Sequence, residues 1–159
     1  MTTTRDAFLG GRLTLQQPVA GFRAGMDSVM LAAAVPARSG DTVLELGSGA
    51  GAAALCLAAR VDGVHITGLE IQGALVDLAT SNAHANHLHD RAQFIAADIA
   101  APPETLRPCS FDHAMMNPPF FVEGRDDAPP DAARATAHIA DAEALARWTK
   151  CARIYLKAR

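Results

Sequence analysis

Short apolar runs alternate with longer amphipathic stretches along most of the chain, and turn residues punctuate them. RLTLQQ (12–17) alternates apolar and polar positions and predicts a short strand, ended by Pro18 and Gly21. From Asp27 the stretch DSVMLAAAV predicts a helix with Asp27 as N-cap, closed by Pro36 and Gly40. TVLEL (42–46) is a compact apolar strand, and AAALCLAAR (52–60) a helix. VHITGLE (64–70) is the next strand. GALVDLATSNAHAN then predicts a helix with Leu75, Leu78 and Ala79 on one face. AQFIAADI (92–99) and FDHAMMN (111–117) predict two further strands. Residues 121–137 are polar, with Gly124, Pro129 and Pro130, and predict a loop. Asp141 is placed to cap a last helix through about Leu156. Leu145, Trp148, Ala152, Tyr155 and Leu156 share one of its faces, and Arg147, Lys150, Arg153 and Lys157 another.

Strands that alternate with helices imply βαβ units and a parallel sheet. The expected layout is α/β and Rossmann-like, with core strands in the order 3-2-1-4. Its ligand crevice would open at the carboxyl ends of the first and fourth strands. A single domain is expected, with residues 1–38 as an N-terminal segment over the site and 39–159 as the core.

Composition narrows the function classes. The chain has 159 residues and a net charge of −3, unlike proteins that hold nucleic acid mainly by bulk charge. No apolar run reaches membrane-span length, and the first residues lack the apolar core of a secretory signal. Cys56, Cys109 and Cys151 show neither zinc spacing nor a disulfide framework, and predict buried or half-buried thiols in a reducing cytoplasm. His84, His87 and His89 cluster without a metal-ligand spacing, and no metal is expected. His113 and His138 have no partner visible in the sequence.

Two motifs carry chemistry, at the ends of the first and fourth core strands. Glu45-Leu46-Gly47-Ser48-Gly49-Ala50-Gly51 turns from strand to helix, and glycines there let backbone amides approach a ligand. Glu70, 23 residues beyond Gly47, is placed to accept hydrogen bonds from ribose hydroxyls. G-x-G-x-G with an acid two residues before it differs from the dinucleotide G-x-G-x-x-G. It favours a nucleoside cofactor, S-adenosylmethionine ahead of NAD, over a bare structural turn. Asp98 ends the third strand and is placed to accept from an adenine amino group, or else from its own backbone.

The second motif is Asn117-Pro118-Pro119-Phe120. Asn-Pro-Pro is ordinary loop chemistry, yet with an aromatic it arises by chance in a chain this long on the order of once in a thousand sequences. An amine on a heteroaromatic ring or amide is a poor nucleophile because its lone pair is delocalised. The Asn117 side-chain carbonyl and the Pro118 backbone carbonyl can accept its two N–H groups. The lone pair then points at an electrophilic methyl, and two prolines hold the acceptors rigid. Phe120 can stack on a planar substrate, worth about 1–3 kcal/mol per base.

On these residues the chain resembles class I S-adenosylmethionine-dependent methyltransferases with an Asn-Pro-Pro-aromatic motif, and most closely the bacterial tRNA1(Val) adenine-N6 methyltransferase family. The likeness extends to QPVAGFRAGMDS (17–28) and to ARATAHIADAEALARW (133–148). It implies that Glu45, Gly47, Gly49, Gly51, Glu70 and Asp98 line the cofactor site, and that Asn117, Pro118, Pro119 and Phe120 hold the target amine. The segment with Phe22, Arg23 and Asp27 would cover the cofactor's methionine end or the substrate entrance. The expected partner is tRNA. Protein glutamine-N5 methyltransferases share Asn-Pro-Pro, usually with Tyr following, and stand as the alternative substrate class. Such enzymes carry a longer sheet than four strands, so the chain is expected to be a fragment, with later strands missing. The apolar fourth strand would then be an open edge, available for self-association or covered by the last helix. A non-catalytic fragment is the alternative of another class.

Overall fold

A computed structural model of the chain describes residues 1–118 and 144–158. Two strands open it, β1 (Thr3–Phe8) and β2 (Leu13–Pro18), paired antiparallel across a 3-10 turn at Leu9–Gly11. Then come α1 (Met26–Ala34), β3 (Thr42–Leu46), α2 (Ala52–Arg60), β4 (His65–Glu70), α3 (Gly73–Ala85), β5 (Ala92–Ala96), β6 (His113–Met116) and α4 (Ala144–Tyr155). The main sheet is parallel, in the order β5-β4-β3-β6.

Alternate residues of a strand face opposite sides, and each face of this sheet has its own core. Val43, Ile66, Ala92 and Met115 face α2, Ala32 of α1 and Ala83 of α3. Leu44, Leu46 and Leu69 face Cys151, Ala152 and Tyr155 of α4. Helix α2 is buried from Ala52 through Ala58. Its alanines let it lie close to the sheet, and Leu55 and Leu57 fill the remaining space at 0% exposure. Leu57→Ala would open a cavity and cost about 2–5 kcal/mol.

The N-terminal hairpin is fastened by two asparagines of α3. Asn82 Oδ1 accepts from Gln16 N (2.7 Å), and its Nδ2 donates to Gln16 O and Ala50 O. One turn on, Asn86 repeats the pattern with Thr14 N and O. The two amides act as a substitute strand along the free side of β2. Leu13 and Leu15 turn the other way, into the core shared with α2.

Several expectations are corrected. The hairpin contains β1, which the sequence reading missed: TTRDAF is largely polar, and its burial pattern is irregular. Helix α1 starts at Met26 with Gly25 as N-cap, so Asp27 lies in the first turn. Strand β5 stops at Ala96 instead of residue 99, because the chain turns at Asp98–Ala101. Leu145 is exposed at 59% and takes no part in the packed face of α4. His113 does have a partner, Asp41, at 3.1 Å, and Cys109 is exposed. Asp141, His138 and the 121–137 stretch lie outside the described residues. No helix among the described residues is long and apolar enough to cross a membrane.

Strand β6 forms one side of the sheet. Chain following α4 reaches its beginning, where Phe111 bridges Leu156 and Lys157 N donates to Phe111 O. Beyond that contact, His113–Met116 pair only with β3 among the described residues.

Candidate active site

Strand register sets the geometry of the carboxyl end of the sheet. Leu46 of β3 lies opposite Leu69 of β4 and Met116 of β6. One residue further on, Gly47 leaves the sheet between Glu70 and Asn117. At the usual inter-strand spacing these flanking positions are about 10 Å apart.

The turn after β3 fits against both neighbours. Gly47 has φ +68°, and a Cβ there would come within 2.5 Å of the Trp148 ring, so only glycine fits. Gly51 (φ +83°) caps α2, and a Cβ there would run into the Phe94 ring and Ala79. Gly49 has open space where a side chain would be. Ser48 Oγ is a buried side-chain oxygen with no hydrogen-bond partner among the described residues.

Glu70 organises this turn. One carboxylate oxygen accepts from Gly49 N and the other from Gln72 N, both at 2.9 Å. A carboxylate oxygen has two acceptor directions, so each retains one. Sequence reasoning did not single out Ile71, next in the chain and 64% exposed. The sequence signal for it is an apolar residue directly after the acid that ends the second core strand.

Glu45 does not line this crevice. It shares the α2-facing side of β3 with Val43, is 4% exposed, and accepts from Ala54 N at 3.2 Å. Burial pushes its carboxyl up to about 8; the Ala54 N–H opposes this, and the nearby Glu70 charge adds to it. Beside it the Cys56 thiol is pushed up to about 11, by burial first and by Glu45 second. Glu45 therefore ties β3 to α2 from beneath the turn.

Arg23 is likewise engaged elsewhere. Its guanidinium pairs with Asp6 at 2.6 Å and donates to Thr4 Oγ1 and Pro18 O, which closes the hairpin end. Asp98 Oδ1 accepts from Ala100 N at 2.8 Å, the local backbone partnership that its residue type favours. It is exposed in the turn after β5.

Asn117 and Asp27, 90 positions apart, meet at this end of the sheet. Asn117 Nδ2 donates to Asp27 Oδ2 at 2.8 Å, while Asp27 Oδ1 accepts from Gly25 N at 3.0 Å. The Asn117 carbonyl oxygen has no protein donor among the described contacts. Pro118 follows, half-buried. Pro119 and Phe120 lie outside the described residues.

Comparison with known proteins places this architecture. The family model described as methyltransferase small domain matches residues 23–145. A tRNA1(Val) (adenine(37)-N6)-methyltransferase of Tolumonas auensis is 32% identical over 142 residues, which are 88% of this chain and 57% of that protein. Its counterpart in Shewanella amazonensis is 36% identical over 115 residues, 72% of this chain and 48% of that protein. The chain thus spans about half the length of the curated relatives it matches. Among solved structures, a predicted O-methyltransferase from Agrobacterium tumefaciens superposes with a TM-score of 0.53. It is 27% identical, over 58% of this chain and 49% of the other. A geranyl diphosphate methyltransferase solved with SAM shares the fold at 17% identity and a TM-score of 0.51, over 56% of this chain and 35% of the other. The family match covers most of the sequence, including the Gly47 turn, Glu70 and Asn117, and the chain belongs to the methyltransferase small domain family.

Proposed function

We propose that the chain binds S-adenosylmethionine at the carboxyl ends of β3 and β4 and methylates the exocyclic amine of adenine in tRNA. The observation that carries this reading is the register that sets Gly47 between Glu70 and Asn117. The residues present fit the cofactor: Glu70 retains acceptor capacity for ribose hydroxyls, the Gly47–Gly49 turn offers close backbone approach, and Ile71 gives a nucleoside base an apolar surface. When bound, the cofactor supplies an electrophilic methyl on a sulfonium centre.

The chain's own residues do the rest. Asn117 Oδ1 and the Pro118 carbonyl accept the two N–H groups of the target amine, which frees its lone pair. Holding these acceptors in place is preorganisation. No charged base is required, because the sulfur departs as a neutral thioether when the N–C bond forms and the nitrogen then sheds its surplus proton to water. The base must leave its stack to reach them. Phe120 is assigned to stacking from the sequence alone. Residues 1–38 form the cover, since Asp27 from that segment meets Asn117. The tRNA substrate follows the names of the relatives and sets the work in the cytoplasm. The side of β6 that pairs with no described residue, beside an apolar groove lined by Leu31, Val35, Pro36 and Met115, suits pairing with a second copy, which light scattering of the purified chain would read.

The test is calorimetry with S-adenosylmethionine, followed by transfer of labelled methyl to unmodified tRNA. Asn117→Ala should lower transfer by at least about 1,000-fold and leave cofactor affinity within about 3-fold. Equal loss of both would sink the assigned role. Transfer to a release-factor glutamine instead of tRNA would establish the alternative substrate class. No binding at millimolar cofactor would establish a non-catalytic chain.

A further inference from the structure

Asn117 can serve as an acceptor only if its amide is turned the right way. The two ends of an asparagine amide are nearly the same shape and have opposite hydrogen-bonding character. In one orientation the oxygen meets the amine of a substrate. In the other, an NH2 group meets an N–H group, donor against donor, and the motif repels its target.

Asp27 decides between them. Its carboxylate carries only acceptors, and it touches the nitrogen end of the Asn117 amide at 2.8 Å. The carboxylate is itself fixed, because Gly25 N donates to its other oxygen. Both residues stand on rigid elements: Asp27 is in the first turn of α1, and Asn117 directly follows β6. The contact is solvent-exposed in the free protein and strengthens once a bound base excludes water.

We infer that Asp27 is a positioning residue that sets the orientation of the Asn117 amide, with its carboxylate committed to that amide instead of to the cofactor. The inference rests on the methyltransferase reading for its functional consequence, though the contact itself does not. It gives the N-terminal segment a role in catalysis: detaching α1 would free the amide to turn over.

The experiment replaces Asp27 in the full chain. Asp27→Asn keeps the shape but presents either an oxygen or an NH2 group to Asn117, so both amide orientations are satisfied. Its kcat for methyl transfer should fall about 10- to 100-fold, with the cofactor Kd within about 3-fold of wild type. Asp27→Glu keeps an acceptor-only group on a longer arm and should recover part of the loss. An unchanged kcat in Asp27→Asn, or a cofactor Kd raised tenfold, would overturn the inference. A second readout needs no substrate. The side-chain NH2 resonances of Asn117 should move toward free-amide values in Asp27→Ala. Unchanged resonances overturn the inference whatever the activity. Moved resonances uphold the contact even if no methyl acceptor is found, in which case the methyltransferase reading alone fails.

Discussion

The two ends of the parallel sheet use the same residue types in opposite ways. At the amino end, Asp112 accepts from Lys157 Nζ at 2.7 Å and from Thr42 N and Oγ1 at 2.9 and 2.8 Å. Asp41 accepts from Arg38 N and meets His113. These carboxylates are consumed by the fold, and Lys157 and Thr42 hold that of Asp112 far below the usual range. At the carboxyl end, Glu70 and Asp27 are steadied mainly by backbone N–H groups, and among the described residues Asn117 has only its nitrogen engaged. The asparagines show the same division: Asn82, 1% exposed, uses both ends of its amide, and Asn117 uses one among the described residues. A site differs from a brace less in which groups it contains than in how much of their bonding capacity folding leaves unspent.

Three substitutions test that division, in decreasing order of expected effect. Glu70→Gln removes the charge at the carboxyl end. It should weaken S-adenosylmethionine about 10- to 100-fold by calorimetry, the worth of one or two charge-assisted hydrogen bonds, and lower Tm by only a few degrees. A large loss of stability with unchanged affinity would erase the contrast. Asp112→Asn makes the opposite prediction. It should cost about 1–2 kcal/mol of stability, or roughly 3–6 °C in Tm, and leave the cofactor Kd alone.

The third concerns Glu45, a buried carboxylate beneath the site. Its folded pKa, about 8, lies above the ordinary 4.5. The folded chain therefore holds a proton that the unfolded chain releases. The resulting stability is fully present below about pH 4.5 and is lost as pH rises through about 8. Glu45→Gln carries no ionisable proton and should not show this loss. The Tm of the variant minus that of wild type should be larger at pH 8 than at pH 5 in thermal melts. A pH-independent gap would mean that Glu45 is charged in the fold and that water reaches it.

Much of this arrangement was legible in the sequence. TVLEL and AAALCLAAR form elements over the expected residues, 42–46 and 52–60. An apolar run followed at once by a glycine-rich turn leaves little freedom in where either one ends. Less was legible where the deciding contact is long-range. Asp27 suggested an N-cap from local spacing, but its carboxylate reaches Gly25 and a residue 90 positions away. Glu45 suggested a cofactor ligand from family likeness, and strand alternation turns it toward α2. That distinction is hidden in a strand buried on both faces, because both sets of residues look apolar or motif-bound. Strand β1 was illegible because its partner supplies the pattern and TTRDAF does not. The Asn82–Asn86 pair was in plain view at a spacing of four, which puts two amides on one side of a helix.

That pair also limits itself. One step of four along a helix advances about 6.0 Å, and two residues along a strand about 6.8 Å. The rungs nearly match, so Asn82 and Asn86 mesh with Gln16 and Thr14 like two teeth of a rack. A third tooth would be out of step by more than 1.5 Å, too far for a good hydrogen bond. The clasp therefore has a maximum size of two and a single seating. Sliding the hairpin by one residue would bring up residues whose N–H and C=O groups face β1 instead of α3, and undo both teeth together. The placement of the segment that carries Asp27 to Asn117 is thus indexed by the mismatch between helical and extended chain.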